Sequence, residues 1–102
     1  MNILFIPEAV KEYKSLDGSI KKLVNQKIDM LEENPFLGEA LGKKDNIDLT
    51  GYYKIYVAKK SYRIVYRIIK HKIEIIEIWG IGKRDKMEIY KNISKRILDR
   101  KK

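Results

Sequence analysis

Cysteine is absent from this sequence of 102 residues, and histidine occurs once, as His71. A disulfide, a thiolate zinc site and an iron–sulfur cluster are therefore excluded, as is a metal site built from several histidines of one chain. No apolar run approaches the roughly 18 residues that a membrane-spanning helix needs. The opening apolar stretch is too short for a signal peptide and has no basic leader, so we expect a cytoplasmic protein without a membrane partner.

Positive charge is unevenly distributed along the chain. Lys and Arg number 23 against 14 Asp and Glu, which gives a net charge of +9. Residues 1–50 carry a net charge of −2, whereas residues 51–102 carry +11 together with six of the seven tyrosines. Basic side chains neutralise phosphates, and aromatic rings stack on unpaired bases. The second half is therefore a candidate nucleic-acid surface, and the alternative is the solvated basic surface of a Lys-rich protein.

The first half of the sequence predicts a strand followed by a helical hairpin. Residues 2–6 are short and apolar and predict a strand, and residues 7–16 predict a first helix that opens on a proline. Ser19 is the predicted N-cap of a second helix, which ends at Asn34 because a proline follows. Glycines and polar residues predict a loop over residues 35–51.

The second half predicts three strands and a last helix. The predicted strands are the segments rich in β-branched and aromatic residues, 53–57, 61–69 and 73–79. We expect Gly80-Ile81-Gly82 to end the third strand, and apolar spacing over residues 85–100 predicts the last helix. Consecutive strands with short turns favour an antiparallel meander whose apolar face the helices cover. The sequence therefore predicts one α+β domain over residues 1–102, in the order β-α-α-β-β-β-α.

Three basic residues fall where they can serve one site. Lys54 lies on the first predicted strand of the second half, Arg63 on the next, and Arg84 just beyond the third. Tyr56 shares a strand face with Lys54, and Tyr90 lies on the last helix. Fixed guanidinium and ammonium groups stabilise the extra charge of a pentavalent phosphorane without a metal ion. The alternatives are a solubilising strand surface for Arg63 and a place in the apolar helix stripe for Tyr90.

Three segments between residues 49 and 90 resemble a known family. They are Leu49-Thr50-Gly51-Tyr52-Tyr53-Lys54-Ile55, Tyr62-Arg63-Ile64-Val65-Tyr66-Arg67-Ile68 and Gly82-Lys83-Arg84-Asp85-Lys86-Met87-Glu88-Ile89-Tyr90. In order and spacing they resemble the RelE branch of the RelE/ParE toxin superfamily, and the resemblance extends over the whole chain. It implies a type II toxin that needs no cofactor and is held inactive by a cognate antitoxin, through which the complex can bind its operator DNA.

The resemblance also implies an activity and the residues that perform it. RelE-like toxins enter the ribosomal A site and cut mRNA there, by attack of a ribose 2′-OH on the adjacent phosphate. Carried over residue by residue, Arg63 and Arg84 would hold the scissile phosphate and stabilise the transition state. Lys54 would contribute charge or proton transfer. Tyr90 would stack on the base, orient it or assist the proton transfers.

The remaining positions include one departure from the family. Lys83 and Lys86 would bind the backbone of ribosomal or messenger RNA, and Arg67 is a further RNA-binding candidate. Tyr56 stands where well-studied members have a second lysine, and its unperturbed pKa of about 10 makes it a poor base unless cations lower it. Two alternatives stay open. One is a ParE-like toxin that inhibits a DNA topoisomerase without cutting RNA, and the other is a catalytically impaired homologue that binds RNA or antitoxin.

Overall fold

The computed structural model describes residues 2–44, 46–70, 74–84 and 88–101. Within these residues the elements follow the order β-α-α-β-β-β-β-α. Their bounds are β1 Asn2–Phe5, α1 Pro7–Ser15, α2 Gly18–Glu33, β2 Glu39–Lys44, β3 Ile47–Val57, β4 Tyr62–Lys70, β5 Glu74–Lys83 and α3 Glu88–Arg100. Of the helices described, none is both long and apolar enough to cross a membrane.

The strands form an open five-stranded sheet in the order β1-β5-β4-β3-β2. The predicted antiparallel meander is confirmed for β3, β4 and β5. The first strand departs from the purely antiparallel prediction, because β1 lies beside β5 and runs parallel to it, from the pair Asn2↔Ile75 to the pair Phe5↔Ile78. The α+β fold is therefore as predicted, but the sheet is mixed and has one strand more than the sequence indicated.

The prediction of a loop over residues 35–51 holds for residues 35–38 and is wrong for most of the segment that follows. This segment contains β2 and the beginning of β3, which pair with each other in antiparallel fashion. Two of its glycines have positive φ inside the strands, +66° at Gly42 and +92° at Gly51. The Tyr66 hydroxyl donates a hydrogen bond of 2.8 Å to the Pro35 carbonyl and so fixes the approach to β2. Pairing with β3 therefore makes a strand from residues whose local pattern is that of a loop.

The second helix begins at Gly18, and its N-cap is Asp17 instead of the predicted Ser19. The Asp17 carboxylate accepts the Ile20 N–H at 3.0 Å and the Ser19 hydroxyl at 2.6 Å. Ser19 thus supports the cap from inside the helix. The helix buries Val24, Ile28 and Leu31 along one face.

Helices cover both faces of the sheet. The α1–α2 hairpin packs on the face that carries Tyr66, and α3 packs on the opposite face. The Gly80-Ile81-Gly82 segment does not end the third predicted strand but lies inside β5. A Cβ atom on Gly80 would lie 2.6 Å from Cδ1 of Ile93, so the missing side chain lets α3 approach the strand. Two predicted features, the turn around His71 and the start of the last helix at residue 85, lie outside the described residues.

Candidate active site

The pairing register of the strands places several predicted site residues on one face of the sheet. Lys54 and Tyr56 are two apart on β3, so they point to the same face of the sheet. Tyr56 lies opposite Arg63 of β4, and Arg63 lies opposite Gly82 of β5. Residues directly opposite each other in antiparallel strands share a face. The sheet therefore presents Lys54, Tyr56 and Arg63 together, on the face that α3 covers in part.

The three cations predicted for the site converge on the ring of Tyr56. Lys54 Nζ lies 5.0 Å from the ring centroid, Arg63 Cζ 5.5 Å and Arg84 Cζ 5.6 Å. Lys54 also donates a hydrogen bond of 3.1 Å to the Tyr56 hydroxyl. The backbone N–H of Arg84 donates to the Ser61 carbonyl at 2.9 Å, which ties the residue to the start of β4. Side chains from β3, from β4 and from the residue after β5 thus meet at the Tyr56 ring. Together with Tyr90 they form what we call the Tyr56 cluster: Lys54, Tyr56, Arg63, Arg84 and Tyr90.

Tyr90 covers the guanidinium of Arg63 from the side of α3. Its ring centroid lies 5.0 Å from Arg63 Cζ, and both residues are buried. The preceding residue, Ile89, packs on Gly82, where an added Cβ would lie 3.4 Å from Ile89 Cδ1. The guanidinium therefore lies near two aromatic rings, Tyr56 on one strand and Tyr90 on the helix, which are favourable neighbours for a cation.

Arg63 has donors that the described protein does not satisfy. Its Nε and Nη1 are buried and have no hydrogen-bond partner among residues 2–44, 46–70, 74–84 and 88–101. A buried donor without an acceptor costs roughly 1–3 kcal/mol, and more when the group is charged. An oxyanion removes this cost because it offers several acceptor atoms to a guanidinium fork. The arrangement is suited to binding a phosphate at Arg63.

The cluster shifts the pKa values of Tyr56 and Lys54 in opposite directions. The hydrogen bond from Lys54 is the largest cause of the lowered pKa of Tyr56. Burial opposes it, and the positive charges of Lys54, Arg63 and Arg84 each add a smaller lowering. Burial acts to lower the pKa of Lys54, but the hydrogen bond to Tyr56 and the nearby tyrosines together raise it above its ordinary value. The cluster therefore favours the protonated form of Lys54 and the ionised form of Tyr56, each relative to the free side chain.

Sequence reasoning missed two residues beside the cluster. Glu39 lies opposite Lys54 in the β2–β3 pairing, and its Oε2 is 3.9 Å from Lys54 Nζ. Lys60 Nζ lies 5.5 Å from the Tyr56 ring centroid. Lys60 belongs to the turn 58–60, in which φ ranges from 53° to 69°. The sequence could not place Glu39 beside Lys54, because its segment was predicted to be a loop and not a strand paired with β3. Lys60 could have been predicted to lie near Tyr56, because only a short turn follows that strand.

Two of the three RNA-binding candidates, Lys83 and Arg67, do not join the Tyr56 cluster. Strand alternation directs Lys83 of β5 to the face opposite that of Arg63. Arg67 shares the face of Arg63 but lies four residues further along β4, about 13 Å away, where its Nε is 2.7 Å from Glu77 Oε1. Lys86 lies outside the described residues. Within the part of the chain that the structure describes, no group of three or more His, Asp or Glu side chains could hold a metal ion.

Known proteins are similar to this chain in sequence and in fold. The family model for the ParE toxin of the type II toxin–antitoxin system parDE matches residues 3–88. The mRNA interferase toxin RelE of Escherichia coli strain K12 is 32% identical over 94 residues, which are 92% of this chain and 94% of that protein. This chain belongs to the RelE/ParE toxin family. It is a RelE-like toxin of the type II class, as its three sequence segments indicated.

Solved structures of E. coli RelE show that this RelE/ParE toxin is similar to RelE in its fold as well as in its sequence. A RelE variant with two arginines replaced by alanine, in the free state, aligns with a TM-score of 0.73 at 26% identity, covering 94% of this chain and 96% of that one. The isolated RelE toxin aligns with a TM-score of 0.68 at 26% identity, covering 94% and 97%. The predicted toxin fold is therefore confirmed.

Proposed function

We propose that this toxin is an endoribonuclease that cleaves mRNA by attack of a ribose 2′-OH on the adjacent phosphate. Arg63 carries the proposal, because it is a buried cation whose Nε and Nη1 have no partner among the described residues and which lies beside Tyr56 and Tyr90. A phosphodiester supplies the acceptors that these donors need. The activity named for the E. coli relative, mRNA interferase, supports the same reaction.

In this proposal Arg63 and Arg84 supply the positive charge that the reaction requires. As the 2′-oxygen bonds to phosphorus, the phosphate becomes a pentavalent phosphorane with additional negative charge on its non-bridging oxygens. Guanidinium groups that are already in place stabilise this charge without reorganisation, and one such donor contributes about 10²- to 10³-fold to the rate. The two arginines would act in place of a metal ion.

Tyr56 and Lys54 would carry the two proton transfers. Tyr56 would take the proton of the 2′-OH in its ionised form, which its lowered pKa makes more populated, and Lys54, kept protonated by its raised pKa, would give a proton to the departing 5′-oxygen. The O2′–P bond forms as the P–O5′ bond breaks, which leaves a 2′,3′-cyclic phosphate and a 5′-hydroxyl. The 3.1 Å hydrogen bond between the two residues offers a path for the proton to return to Lys54. Tyr90 would hold Arg63 in place; because its ring is buried, a base does not have an exposed face of Tyr90 to stack on.

The cellular setting follows from the same proposal. The substrate would be mRNA on the ribosome, in the cytoplasm, with RNA backbone contacts at Lys83, Lys86 and Arg67. A cognate antitoxin would cover the basic surface and could carry the complex to operator DNA, in keeping with the type II toxin–antitoxin system that describes the family.

The test is cleavage of mRNA on translating ribosomes by purified wild-type chain and by variants. Arg63→Ala and Arg84→Ala should each slow cleavage at least about 10²-fold. Arg63→Lys should also be slow, because a lysine keeps the charge but loses the guanidinium fork. Lys22→Ala on the exposed side of α2 is the matched control and should cleave at the wild-type rate. Wild-type rates in the Arg63 variants would refute the proposal.

The ParE description of the matching family model favours a second candidate function. A ParE-like toxin would inhibit a DNA topoisomerase through protein contacts. Growth arrest by the wild-type chain with intact mRNA on translating ribosomes, together with inhibition of a purified topoisomerase, would support this candidate. Binding of RNA or antitoxin without either effect would instead indicate a catalytically impaired homologue.

A further inference from the structure

A single carboxylate links α1, β5 and α3. Nη1 and Nη2 of Arg96 on α3 each donate to the Glu12 carboxylate on α1 at 3.0 Å. Glu12 Oε1 also accepts the backbone N–H of Ile81, in the middle of β5, at 3.1 Å. Arg96 Nη1 donates in addition to the Trp79 carbonyl at 2.9 Å. The pair therefore joins the two helices to each other and to the strand that lies between them.

A second ion pair lies one turn further along the same helices. Arg100 donates to Glu8 at 2.7 and 3.0 Å. About a third of each of these side chains is exposed, whereas Arg96 is 14% exposed and Glu12 is 26% exposed. Exposed ion pairs contribute little, while a partly buried and bidentate pair constrains its partners more strongly. Glu12 and Arg96 are therefore the pair that fixes α3.

The fixed helix also carries Tyr90. Tyr90 and Arg96 are six residues apart, about 9 Å along the helix axis. Between them Ile93 packs on Gly80, where an added Cβ would lie 2.6 Å from Ile93 Cδ1 and 3.0 Å from Arg96 Nη1. Contact with the strand and the ion pair to α1 together set the height and rotation of the helix. Because an α-helix moves as a unit, these two contacts also determine where the Tyr90 ring lies over Arg63.

We propose that Glu12 is a positioning residue for the Tyr56 cluster, holding α3 through Arg96 so that the Tyr90 ring covers Arg63. The inference rests on the proposed function, since it concerns the geometry of the cleavage site. Glu12 acts at a distance, because it contacts Arg96 and Ile81 and neither belongs to the cluster.

Glu12→Gln is the sharpest substitution, because it keeps the shape of the side chain and removes its charge. One carboxylate oxygen becomes an NH₂ group that faces the donors of Arg96. We expect kcat for mRNA cleavage to fall about 10- to 100-fold, as for a misplacement of about 1 Å, with KM changed less than about twofold. Glu33→Gln on the exposed side of α2 is the matched control and should leave both constants unchanged.

Two further measurements separate positioning from a general loss of structure. In a Tyr90→Ala background, Glu12→Gln should have little additional effect, because its action passes through the ring that is already absent. Trp79 is the one tryptophan of the sequence and is buried beneath α3, with its carbonyl bonded to Arg96. Loosening of α3 should therefore shift its fluorescence emission to longer wavelength, whether or not RNA is cleaved.

Each outcome decides the inference. A wild-type kcat in Glu12→Gln, or an equal loss of kcat with and without Tyr90, would overturn it. If the wild-type chain cleaves no RNA, the proposed function fails, and unchanged Trp79 emission in Glu12→Gln would then overturn the positioning role by itself. If Glu12→Gln does not fold, Arg96→Lys replaces it, because lysine keeps the charge but loses the two-pronged contact. It should show the same fall in kcat and the same emission shift.

Discussion

Replacing Gly80 by alanine tests how closely α3 approaches the sheet. The added Cβ would lie 2.6 Å from Cδ1 of Ile93 and 3.0 Å from Nη1 of Arg96. Ile93 is fully buried and Arg96 is held by Glu12, so neither side chain can move away easily. Overpacking of this kind costs roughly 1–3 kcal/mol, and replacing a strand glycine returns about 0.5–1 kcal/mol. We expect Gly80→Ala to lower the free energy of unfolding by about 1–2 kcal/mol.

Gly82→Ala is the matched control in the same strand. Gly80 and Gly82 lie opposite Val65 and Arg63, so both point to the face that α3 covers. At Gly82 the nearest atom to an added Cβ is Cδ1 of Ile89, at 3.4 Å, which is ordinary contact. This variant should be neutral or more stable by up to about 1 kcal/mol, because only the gain in strand preference remains.

Urea unfolding followed by far-ultraviolet circular dichroism measures both free energies. For a domain of this size, 1 kcal/mol corresponds to a shift in Tm of about 4–8 °C. The difference between the two variants isolates the contact with α3, because their strand preferences cancel. If Gly80→Ala proves as stable as Gly82→Ala, the helix does not lie as close to β5 as described, and the reasoning is refuted.

Three further predictions concern ionisation and backbone strain. The rate of mRNA cleavage should rise with pH through a pKa below the usual value for tyrosine. Tyr56→Phe should remove this rise in a single-turnover pH–rate profile. An unchanged profile would mean that another group is the base. The hydrogen bond from Arg100, with smaller charge effects, lowers the pKa of Glu8 from 4.5 to about 2, so its stabilisation should be complete above pH 4.5 and lost as the pH falls towards 2. Because this carboxylate is more than a third exposed, wild type and Glu8→Gln should differ in unfolding free energy by only about 1 kcal/mol at pH 7, and a difference that stays constant down to pH 2 would contradict the assignment. Lys59 has φ of 53°, so Lys59→Gly should raise the free energy of unfolding by roughly 0.5–1 kcal/mol, whereas loss of stability in thermal unfolding would show that the turn is not left-handed.

The cluster could be predicted from the sequence because successive side chains of a strand alternate between the two faces of the sheet. Alternation within β3 places Lys54 and Tyr56 on one face, and alternation within β4 places Arg63 on the face opposite Ile64. Short turns between consecutive strands then bring these faces together. The predicted meeting of Lys54, Arg63 and Arg84 needed no knowledge of distant contacts.

The features that the sequence mispredicted, or gave no reason to expect, depend on contacts between residues far apart in the chain. β2 has the sequence Glu-Ala-Leu-Gly-Lys-Lys, which has little preference for strands and becomes one through pairing with β3. Gly80 and Gly82 are indistinguishable from strand breakers until α3 is known to lie on them. Glu12 and Arg96 are 84 positions apart, and no local pattern links a glutamate of the first helix to an arginine of the last.

The parallel pairing of β1 with β5 has a consequence for the order in which the protein can be made. Asn2 is synthesised well before its partner Ile75, so β1 has to wait for β5 before the two strands can pair. Arg84 and Tyr90 come later still, so a nascent chain holds Lys54 and Arg63 without the residues that complete the cluster. If the toxin cuts mRNA as proposed, translation itself delays the appearance of activity, and a growing chain cannot attack its own message before α3 is synthesised.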